Sequence, residues 1–355
     1  HQKFVRNNTI KGLFGGPLFY LIIHKKVMKE EWVVKNFLVT GCLGQIGTEL
    51  VKKLRCQYGS DHVVGSDIKT TGIEKLGDGP FEILDVRESD TLVRIVEKYN
   101  IDTILHLAGL LSAVGEAKPQ LAWQINAGGL FNTLEVAREK QCAVFFPSSI
   151  AAFGPNTPLD HTPQDTIQRP ATMYGITKVT GELLCDYYHK KYGLDTRGVR
   201  FPGLISYETE PGGGTTDYAV EIYYKAIADG HYDSFIAAGT YMDMMYMPDA
   251  IDAVIQLMEA DSSKLKHRNA FNISAMSFDP EELAASIRKY IPHFTLGYKV
   301  DPVRQSIAES WPNSLDVSAA REEWGFDPKY DLDKMTEDML AHLKETLKVK
   351  KCNKK

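Results

Sequence analysis

The amino-acid sequence predicts an α/β protein with a doubly wound parallel sheet, followed by a smaller α/β lobe. Three observations carry this prediction. Gly41, Gly44 and Gly47 form a glycine-spaced turn between a short apolar run and a helical pattern. A second apolar run ends in an acid, Asp67, about 20 residues further on. From there to Arg200, runs of strand length alternate with helical periodicity, which is typical of parallel sheets with crossover helices.

The glycine-spaced turn predicts a dinucleotide-binding site. The apolar run 37–39 has the pattern of a buried strand, and a helical pattern begins after the glycines. Gly41 permits the tight turn, Gly44 lets the backbone approach a pyrophosphate, and Gly47 lets helix and strand pack closely. The spacing alone is a weak signal, but the strand at 62–67, ending in Asp67, strengthens it. A carboxylate there accepts hydrogen bonds from ribose hydroxyls and repels a 2′-phosphate, which predicts NAD rather than NADP.

The composition is typical of a soluble enzyme. With 355 residues, 43% of them hydrophobic, and a net charge of −5, the chain can form a sizeable core and shows no sign of nucleic-acid binding. Residues 1–29 carry six lysines and arginines and no acid, which resembles a mitochondrial transit segment, with a disordered leader as the rival interpretation. Five scattered cysteines without a CxxC pair, and no HExxH motif, predict neither a disulfide framework nor a metal site.

The first half of the chain continues the alternation of strands and helices. Connections of crossover length separate the apolar runs, so we expect ligands at the carboxyl ends of the strands. In order, we predict a loop at 69–80, strand 81–86, helix 91–99, strand 103–109, loop 110–116, helix 123–138, strand 144–149, helix 172–192 and strand 196–200.

The second half has a different rhythm, with glycines and prolines between 201 and 214 and shorter elements after them. We predict helix 217–229, short strands and helices at 244–247, 248–260, 271–273, 280–290 and 294–300, and a closing helix at 331–349. These patterns predict a basic leader (1–34), an NAD-binding domain (35–205), a mainly substrate-binding lobe (206–347) and a basic tail (348–355).

Three side chains in the first half predict an oxidoreductase site. Tyr174 and Lys178 are four residues apart on helix 172–192, so they share one face. A nearby ammonium and a positive nicotinamide both lower the pKa of a tyrosine from its free value of about 10. The phenolate can then take a proton from an alcohol while a hydride leaves the same carbon. Ser149 ends the fifth strand and is the expected hydroxyl that orients the substrate, with Ser148 as the weaker candidate.

The glycine turn, Asp67, Asn126 and the set of Ser149, Tyr174 and Lys178 carry a family resemblance. Over about residues 35–345 the chain resembles the extended short-chain dehydrogenase/reductase family, which includes nucleotide-sugar epimerases. Within it, GGGTTDYA at 212–219 and LLSAVGE at 110–116 resemble the short-chain type of L-threonine 3-dehydrogenase and are not expected in sugar epimerases. Further matching stretches are GCLGQIG (41–47), MYGITKV (173–179), PGLIS (202–206), MMYMPDA (244–250) and SWP (310–312).

The resemblance implies a role for each matching residue. The implied cofactor contacts are Gly41, Gly44, Gln45, Ile46, Gly47, Asp67, Ile68, Asp85, Val86, Leu107, Ala108, Asn126, Tyr174, Lys178 and Leu204. The implied substrate contacts are Ser112, Ser149, Tyr174, Thr215, Thr216 and Trp311, with Tyr174, Lys178 and Ser149 as the catalytic residues. The residues alone leave other roles open: Asp85, Ser112 and the Thr215–Thr216 pair as helix caps, and Trp311 as a core side chain.

The resemblance also implies an activity and its setting. It implies oxidation of L-threonine by NAD to 2-amino-3-ketobutyrate, in a homodimer paired through the two long helices. It implies a mitochondrial matrix location, with the cytoplasm as the alternative, and it leaves open a functional coupling to 2-amino-3-ketobutyrate CoA ligase.

Two other functions fit parts of the pattern. The first is a nucleotide-sugar epimerase or dehydratase that holds NAD tightly; the absence of a basic cluster between residues 201 and 300 disfavours it, because a diphosphate needs cations. The second is a non-catalytic NAD-sensing module, which does not need a serine, a tyrosine and a lysine at catalytic spacing.

Overall fold

The strands of the protein are short and mostly buried. The computed structural model describes residues 35–209, 211–212 and 214–352, so the predicted leader at 1–34 and the last residues of the predicted tail lie outside the described residues. The strands are β1 (Phe37–Thr40), β2 (Val63–Asp67), β3 (Phe81–Ile83), β4 (Thr103–His106), β5 (Ala143–Ser149), β6 (Thr196–Phe201), β7 (Gly203–Ile205), β8 (His231–Ser234), β9 (Met242–Tyr246), β10 (Phe271–Asn272), β11 (Met276–Phe278) and β12 (Thr295–Tyr298).

Helices lie between most, but not all, of these strands. They are α1 (Gln45–Tyr58), α2 (Ser89–Lys98), α3 (Ser112–Ala117), α4 (Pro119–Ala122), α5 (Gly129–Lys140), α6 (Met173–Tyr192), α7 (Tyr218–Ala228), α8 (Met247–Glu259), α9 (Pro280–Arg288), α10 (Pro302–Ala308), α11 (Ser318–Trp324) and α12 (Leu332–Cys352). A π-helical segment, Trp123–Gly128, joins α4 to α5. Within the described residues, no helix is both long enough and apolar enough to cross a membrane.

The central sheet confirms the predicted doubly wound parallel architecture. Its order is β10-β6-β5-β4-β1-β2-β3, and every pair of neighbours is parallel. The chain runs outward from β1 in one direction and then returns to β4 on the other side, so the topological switch point lies between β1 and β4. Ligands of open α/β sheets bind at this point, outside the carboxyl ends of the strands. The turn after β1 and the chain after β4 therefore frame the expected site.

The second lobe is built on two small sheets. One has the order β11-β9-β7, with β9 antiparallel to β11 and parallel to β7, and the other pairs β12 with β8 in parallel. The strand β7 follows β6 after one residue and pairs with β9, so the chain leaves the central sheet at Pro202. The domain boundary between residues 205 and 206 stays a prediction.

Several predicted elements differ from the structure. The stretch 110–116 was expected to be a loop, but most of it is the helix α3, and helix 123–138 is a π-helical segment followed by α5. The strands β3 and β4 end three residues earlier than expected. Among the elements missing from the prediction are β7, β8, β11, α10 and α11. These are short, and their stability depends on packing partners distant in sequence rather than on local periodicity.

Candidate active site

The glycine turn after β1 has a shape that only glycines allow. Gly41 has φ = +66°, and a Cβ added there would lie 2.7 Å from the backbone nitrogen of Ala108. A Cβ added at Gly47 would lie 2.5 Å from the carbonyl oxygen of Gly41, because α1 starts directly against the turn. At Gly44 an added Cβ would meet only the Gly41 oxygen, at 3.2 Å, and the residue is exposed. The fold itself therefore requires Gly41 and Gly47, whereas the open side of Gly44 faces room for a ligand.

The start of α1 presents a cradle for an anion. The helix begins at Gln45, and no side chain caps this end of it within the described residues. The first N–H groups of a helix, here those of Gln45, Ile46 and Gly47, have no partner inside the helix and lie at the positive end of its dipole. This arrangement fits the pyrophosphate of a dinucleotide.

Asp67 is fixed beside this cradle at the end of β2. Its Oδ2 accepts a hydrogen bond from the Leu43 backbone N–H at 3.1 Å, and its Oδ1 accepts one from the Lys69 backbone N–H at 3.1 Å. Each carboxylate oxygen can accept a second hydrogen bond, so ribose hydroxyls still have acceptors. The next side chain, Ile68, is exposed. The turn, the helix start and the acid together have the groups that NAD requires.

An ion pair lies just after the end of β3. The Nε of Arg87 donates to both oxygens of Asp85 at 3.0 Å, and these hydrogen bonds lower the pKa of that carboxyl. Glu88, not Asp85, precedes the first residue of α2, and no side-chain cap is present there, so the helix-cap alternative for Asp85 is wrong. The Val86 side chain is buried against Gly129, where an added Cβ would lie 2.5 Å from Val86 Cγ2. Adenine contact stays a prediction for both residues. The amino group of adenine would share the Asp85 carboxylate with Arg87. Because the Val86 side chain packs against Gly129, the adenine ring would contact the Val86 backbone.

Leu107 and Ala108 lie at the switch point. The Leu107 N–H donates to the carbonyl of Thr40 at 3.1 Å, and the Ala108 N–H donates to the Thr40 hydroxyl at 3.2 Å. This places both residues next to Gly41, as a cofactor channel requires.

Asn126 lies in the π-helical segment, and its amide bonds protein groups. Its Oδ1 accepts from the Leu110 N–H at 2.8 Å, and its Nδ2 donates to the Leu110 carbonyl and the Thr177 hydroxyl, both at 3.1 Å. The side chain is buried. The structure therefore gives Asn126 a positioning role between the chain after β4 and α6, and the cofactor contact predicted for it stays untested.

The three predicted catalytic side chains meet at the carboxyl end of β5. Tyr174 hydrogen-bonds the Ser149 hydroxyl; burial raises the pKa of Tyr174 to about 12, and this hydrogen bond acts in the opposite direction. The Nζ of Lys178 donates to the carbonyl of Pro147 at 2.5 Å and lies 5.2 Å from the centre of the Tyr174 ring. Burial lowers the pKa of Lys178 to about 8. The arrangement therefore places a phenol, an ammonium and a hydroxyl within one turn of helix and one strand end.

Ser148 is bonded to a different residue of α6. Its hydroxyl donates to Glu182, which is also bonded by Arg200. Of the two serines, Ser149 is thus the one next to Tyr174. It is also the one that the sequence favoured over Ser148. The Glu182–Arg200 pair was not predicted from the sequence, although the spacing of Tyr174, Lys178 and Glu182 by four residues places all three on one helix face.

The helix α3 packs against the start of α6. The Glu116 side chain accepts a hydrogen bond from the Met173 backbone N–H at 2.5 Å, and a Cβ added at Gly115 would lie 4.0 Å from the Cβ of Tyr174. Ser112 is one turn before Gly115 and shares its helix face. Ser112 is not a side-chain cap of α3, because the residue before the helix is Leu111.

The predicted substrate residues of the second lobe lie at β7 and in an apolar core. The Cγ2 of Thr216 is 2.8 Å from a Cβ added at Gly203, which precedes Leu204 in β7. Thr215 is buried, and Asp217 rather than a threonine bonds the Gly214 N–H, at 2.7 Å. Trp311 is only 9% exposed and belongs to the core against which Tyr174 packs. The core alternative for Trp311 therefore matches its position, and its contact with substrate stays a prediction.

A surface cavity of about 570 Å³ lies away from this chemistry. It is lined by Arg87, Trp123, Phe131 and Leu184, among others, and contains neither Tyr174 nor Ser149. It belongs to the outer face of α5 and α6. Among the described residues, no group of three or more His, Cys, Asp or Glu side chains is placed to hold a metal ion.

The comparison with known sequences identifies a family. The NAD dependent epimerase/dehydratase family matches residues 37–274. An uncharacterised epimerase/dehydratase of Staphylococcus aureus is 58% identical over 321 residues, which cover 90% of this chain and 100% of the relative.

The comparison with solved structures gives a finer similarity. An L-threonine dehydrogenase from Clostridium difficile is 62% identical with a TM-score of 0.87, covering 88% of this chain and 98% of that chain. An L-threonine dehydrogenase from Phytophthora infestans is 51% identical with a TM-score of 0.85, covering 88% and 100%. A structure described as a monomeric L-threonine 3-dehydrogenase from a metagenome is 46% identical with a TM-score of 0.83, covering 87% and 99%. A UDP-glucose 4-epimerase of Thermotoga maritima, 23% identical with a TM-score of 0.75 and covering 88% and 99%, shows the fold alone.

Proposed function

The chain belongs to the NAD-dependent epimerase/dehydratase family, and we propose that it is an NAD-dependent L-threonine 3-dehydrogenase. It would oxidise the 3-hydroxyl of L-threonine and release 2-amino-3-ketobutyrate and NADH. The observation that carries the proposal is the position of α3, which contains most of the LLSAVGE sequence and packs beside Tyr174. Similar structures described as L-threonine dehydrogenases, 62% and 51% identical, support it.

The proposed chemistry needs a base, an ammonium and an orienting hydroxyl. Bound NAD supplies the acceptor for the hydride that leaves C3 of the substrate. The Tyr174 oxygen takes the proton of the 3-hydroxyl, while Ser149 hydrogen-bonds the same substrate oxygen and holds it against the phenol. Because the pKa of Tyr174 is about 12 in the protein alone, its phenolate depends on nearby positive charge. Lys178 supplies one such charge from within the protein.

The substrate is a small zwitterion and needs donors for its carboxylate and acceptors for its ammonium. We propose that the hydroxyls of Ser112, Thr215 and Thr216 serve both ends without a fixed ion pair. Ser112 lies on α3 beside the start of α6, and the two threonines lie in the turn before α7. Trp311 would close the site from the apolar core that Tyr174 contacts.

A substrate panel tests the proposal. NADH formation is followed at 340 nm with NAD and, separately, L-threonine, D-threonine, L-allo-threonine and UDP-glucose. We expect NADH with L-threonine and little with the other three. Interconversion of UDP-glucose and UDP-galactose without NADH release from any amino acid would instead favour the epimerase alternative, which the family description and the staphylococcal relative leave open.

The location, the partners and the oligomeric state of the enzyme stay predictions. The staphylococcal relative gives no support to a mitochondrial location, and a ligase partner has no support in the comparisons. For the assembly we propose a homodimer through α5 and α6, because both helices expose large apolar side chains; one similar structure is described as monomeric.

A further inference from the structure

Three consecutive residues at the end of β5 contact three successive turns of α6. Their partners on the helix are spaced four residues apart, so these contacts hold the strand end against one face of α6 over two turns. The pairs are Ser149 with Tyr174, Pro147 with Lys178, and Ser148 with Glu182.

Glu182 is a deeply buried member of this set. Only 5% of the residue is exposed, and its oxygens accept hydrogen bonds from Ser148, from Gln168 at 2.7 Å, and from Arg200 at 3.1 and 2.9 Å. Arg200 is fixed in turn, since it donates to the Gln164 carbonyl at 2.7 Å and to Asn272 at 3.0 Å. A buried carboxylate with this many donors has one position and one orientation.

The negative charge of Glu182 affects the pKa of Lys178. Burial lowers the pKa of Lys178, and the charge of Glu182, one turn further along α6, raises it. The other titratable groups near the ammonium are Tyr174 on the same helix and His106 on β4. Burial and the charge of Lys178 lower the pKa of His106 to about 3, so this histidine is neutral and does not compete with Glu182.

We propose that Glu182 is a positioning residue of the active site: its buried carboxylate keeps Lys178 charged and, through Ser148, holds the strand end that presents Ser149. Without that charge, Lys178 loses its proton at lower pH, and the Tyr174 phenolate loses a neighbouring cation. The activity part of the test rests on the proposed function, whereas the ionisation of Lys178 can be measured without any substrate.

The variant Glu182→Gln tests this role against Asp195→Asn as the matched control. Asp195 also accepts hydrogen bonds from two arginines, Arg197 and Arg268, but it lies outside the active site. The protein is labelled with ¹³C at lysine Cε, and the Lys178 signal is assigned by its loss in Lys178→Met. Its pKa is read from an NMR titration, and kcat/KM for L-threonine is measured over the same pH range.

We expect Glu182→Gln to lower the pKa of Lys178 by roughly 1 unit or more, and the high-pH limb of kcat/KM to move down equally. Asp195→Asn should change neither the Lys178 pKa nor the high-pH limb of kcat/KM, even if both variants lower Tm. Glu182→Asp keeps the charge but moves it away, so an intermediate Lys178 pKa is expected, and this variant also serves if Glu182→Gln does not fold.

An unchanged Lys178 pKa in folded Glu182→Gln, or in Glu182→Asp where the former does not fold, would overturn the inference. An equal shift in Asp195→Asn would overturn it too, because the effect would then be a general response to a lost ion pair. If the Lys178 pKa moves as expected but the wild type makes no NADH from L-threonine, the role of Glu182 stands and the proposed substrate is wrong.

Discussion

At the residue scale, the chemistry depends on a tyrosine that its surroundings make a weaker acid than free tyrosine. Burial raises the pKa of Tyr174 to about 12, so the protein alone keeps the phenol protonated at neutral pH. The cations that favour the phenolate are Lys178 and the nicotinamide ring of bound NAD. We therefore propose that Tyr174 acts as a base only once the cofactor adds its positive charge.

Tyr174→Phe removes the acid–base group and keeps the ring. Because general acid–base catalysis contributes about 10²–10⁴-fold, we expect kcat to fall by a factor in this range while the Kd for NAD changes little. Steady-state rates with L-threonine and a calorimetric titration with NAD measure the two quantities. A near-wild-type kcat would remove Tyr174 from the mechanism.

Asp67→Ser removes the carboxylate that we expect to discriminate against a 2′-phosphate. We expect the KM for NAD to rise by about 10- to 100-fold, since hydrogen bonds to a charged group are worth about 1.5–3 kcal/mol, and the preference for NAD over NADP to shrink. Asp61→Asn, at an exposed acid just before β2, is the control and should leave both values unchanged. An unaltered cofactor preference in Asp67→Ser would mean that the discrimination lies elsewhere.

At the element scale, α1 connects the cofactor turn to the segment that follows β7. The Ser206 hydroxyl donates to Glu49 at 2.5 Å, and Lys52 forms an ion pair with Glu208. Burial raises the pKa of Glu49 to about 7 from an ordinary value of 4.5. The same helix that starts the cofactor cradle thus carries a carboxyl that titrates near neutral pH.

This carboxyl predicts a pH dependence of stability. The unfolded chain loses the Glu49 proton near pH 4.5 and the folded chain only near pH 7, so the free energy of unfolding falls as pH rises between these values. Glu49→Gln removes this contribution. We expect the stability difference between pH 5 and pH 8 to shrink by on the order of 2 kcal/mol, measured by urea unfolding at both pH values.

A remaining pH dependence is expected in that variant, because burial also raises the pKa of Asp243 to about 7. Identical pH dependence in the wild type and Glu49→Gln would show that Glu49 titrates normally in the folded protein.

Elements with a strong local pattern could be predicted from the sequence, and those that depend on distant partners could not. The strand β1 and the helix α6 were placed within a few residues because apolar runs and helical periodicity are local signals. The strand β7 has only three residues and exists because β9 pairs with it. A helix in the stretch 110–116 was missed because its support comes from α6, through Glu116 and Met173.

The same distinction applies to the candidate site. The glycine turn, Asp67 and the spacing of Tyr174 and Lys178 are local patterns, so sequence alone could point to them. The pairing of Glu182 with Arg200 and that of Asp85 with Arg87 depend on side-chain geometry, and the first also joins residues 18 positions apart. Neither of these two pairings produces a periodic pattern in the sequence.

At the scale of the whole molecule, the helices α5 and α6 expose several large apolar side chains. On α6, Leu183 is 62% exposed, and Ile176 and Tyr187 are exposed on the same helix; Phe131 is exposed on α5. Exposed apolar patches of this kind mark interaction sites, and two copies can bury the same patch against each other around a twofold axis. The patch supports the proposed homodimer.

Leu183→Glu tests the assembly by placing a charge in this patch. We expect wild type at twice the chain mass of 39.8 kDa and Leu183→Glu at the monomer mass, by light scattering after size exclusion. Val303→Glu changes a side chain that is 68% exposed on α10 and should remain dimeric. A monomeric wild type, like the similar structure described as monomeric, would refute the dimer.

We propose that C3 of L-threonine is the carbon oxidised by NAD. The most direct measurement uses L-threonine deuterated at C3 and determines the isotope content of the NADH formed by mass spectrometry. We expect one deuterium in each NADH from the wild type, and the same labelled NADH from Tyr174→Phe at a rate about 10²–10⁴-fold lower. NADH without deuterium, or no NADH while UDP-glucose is interconverted with UDP-galactose, would contradict it.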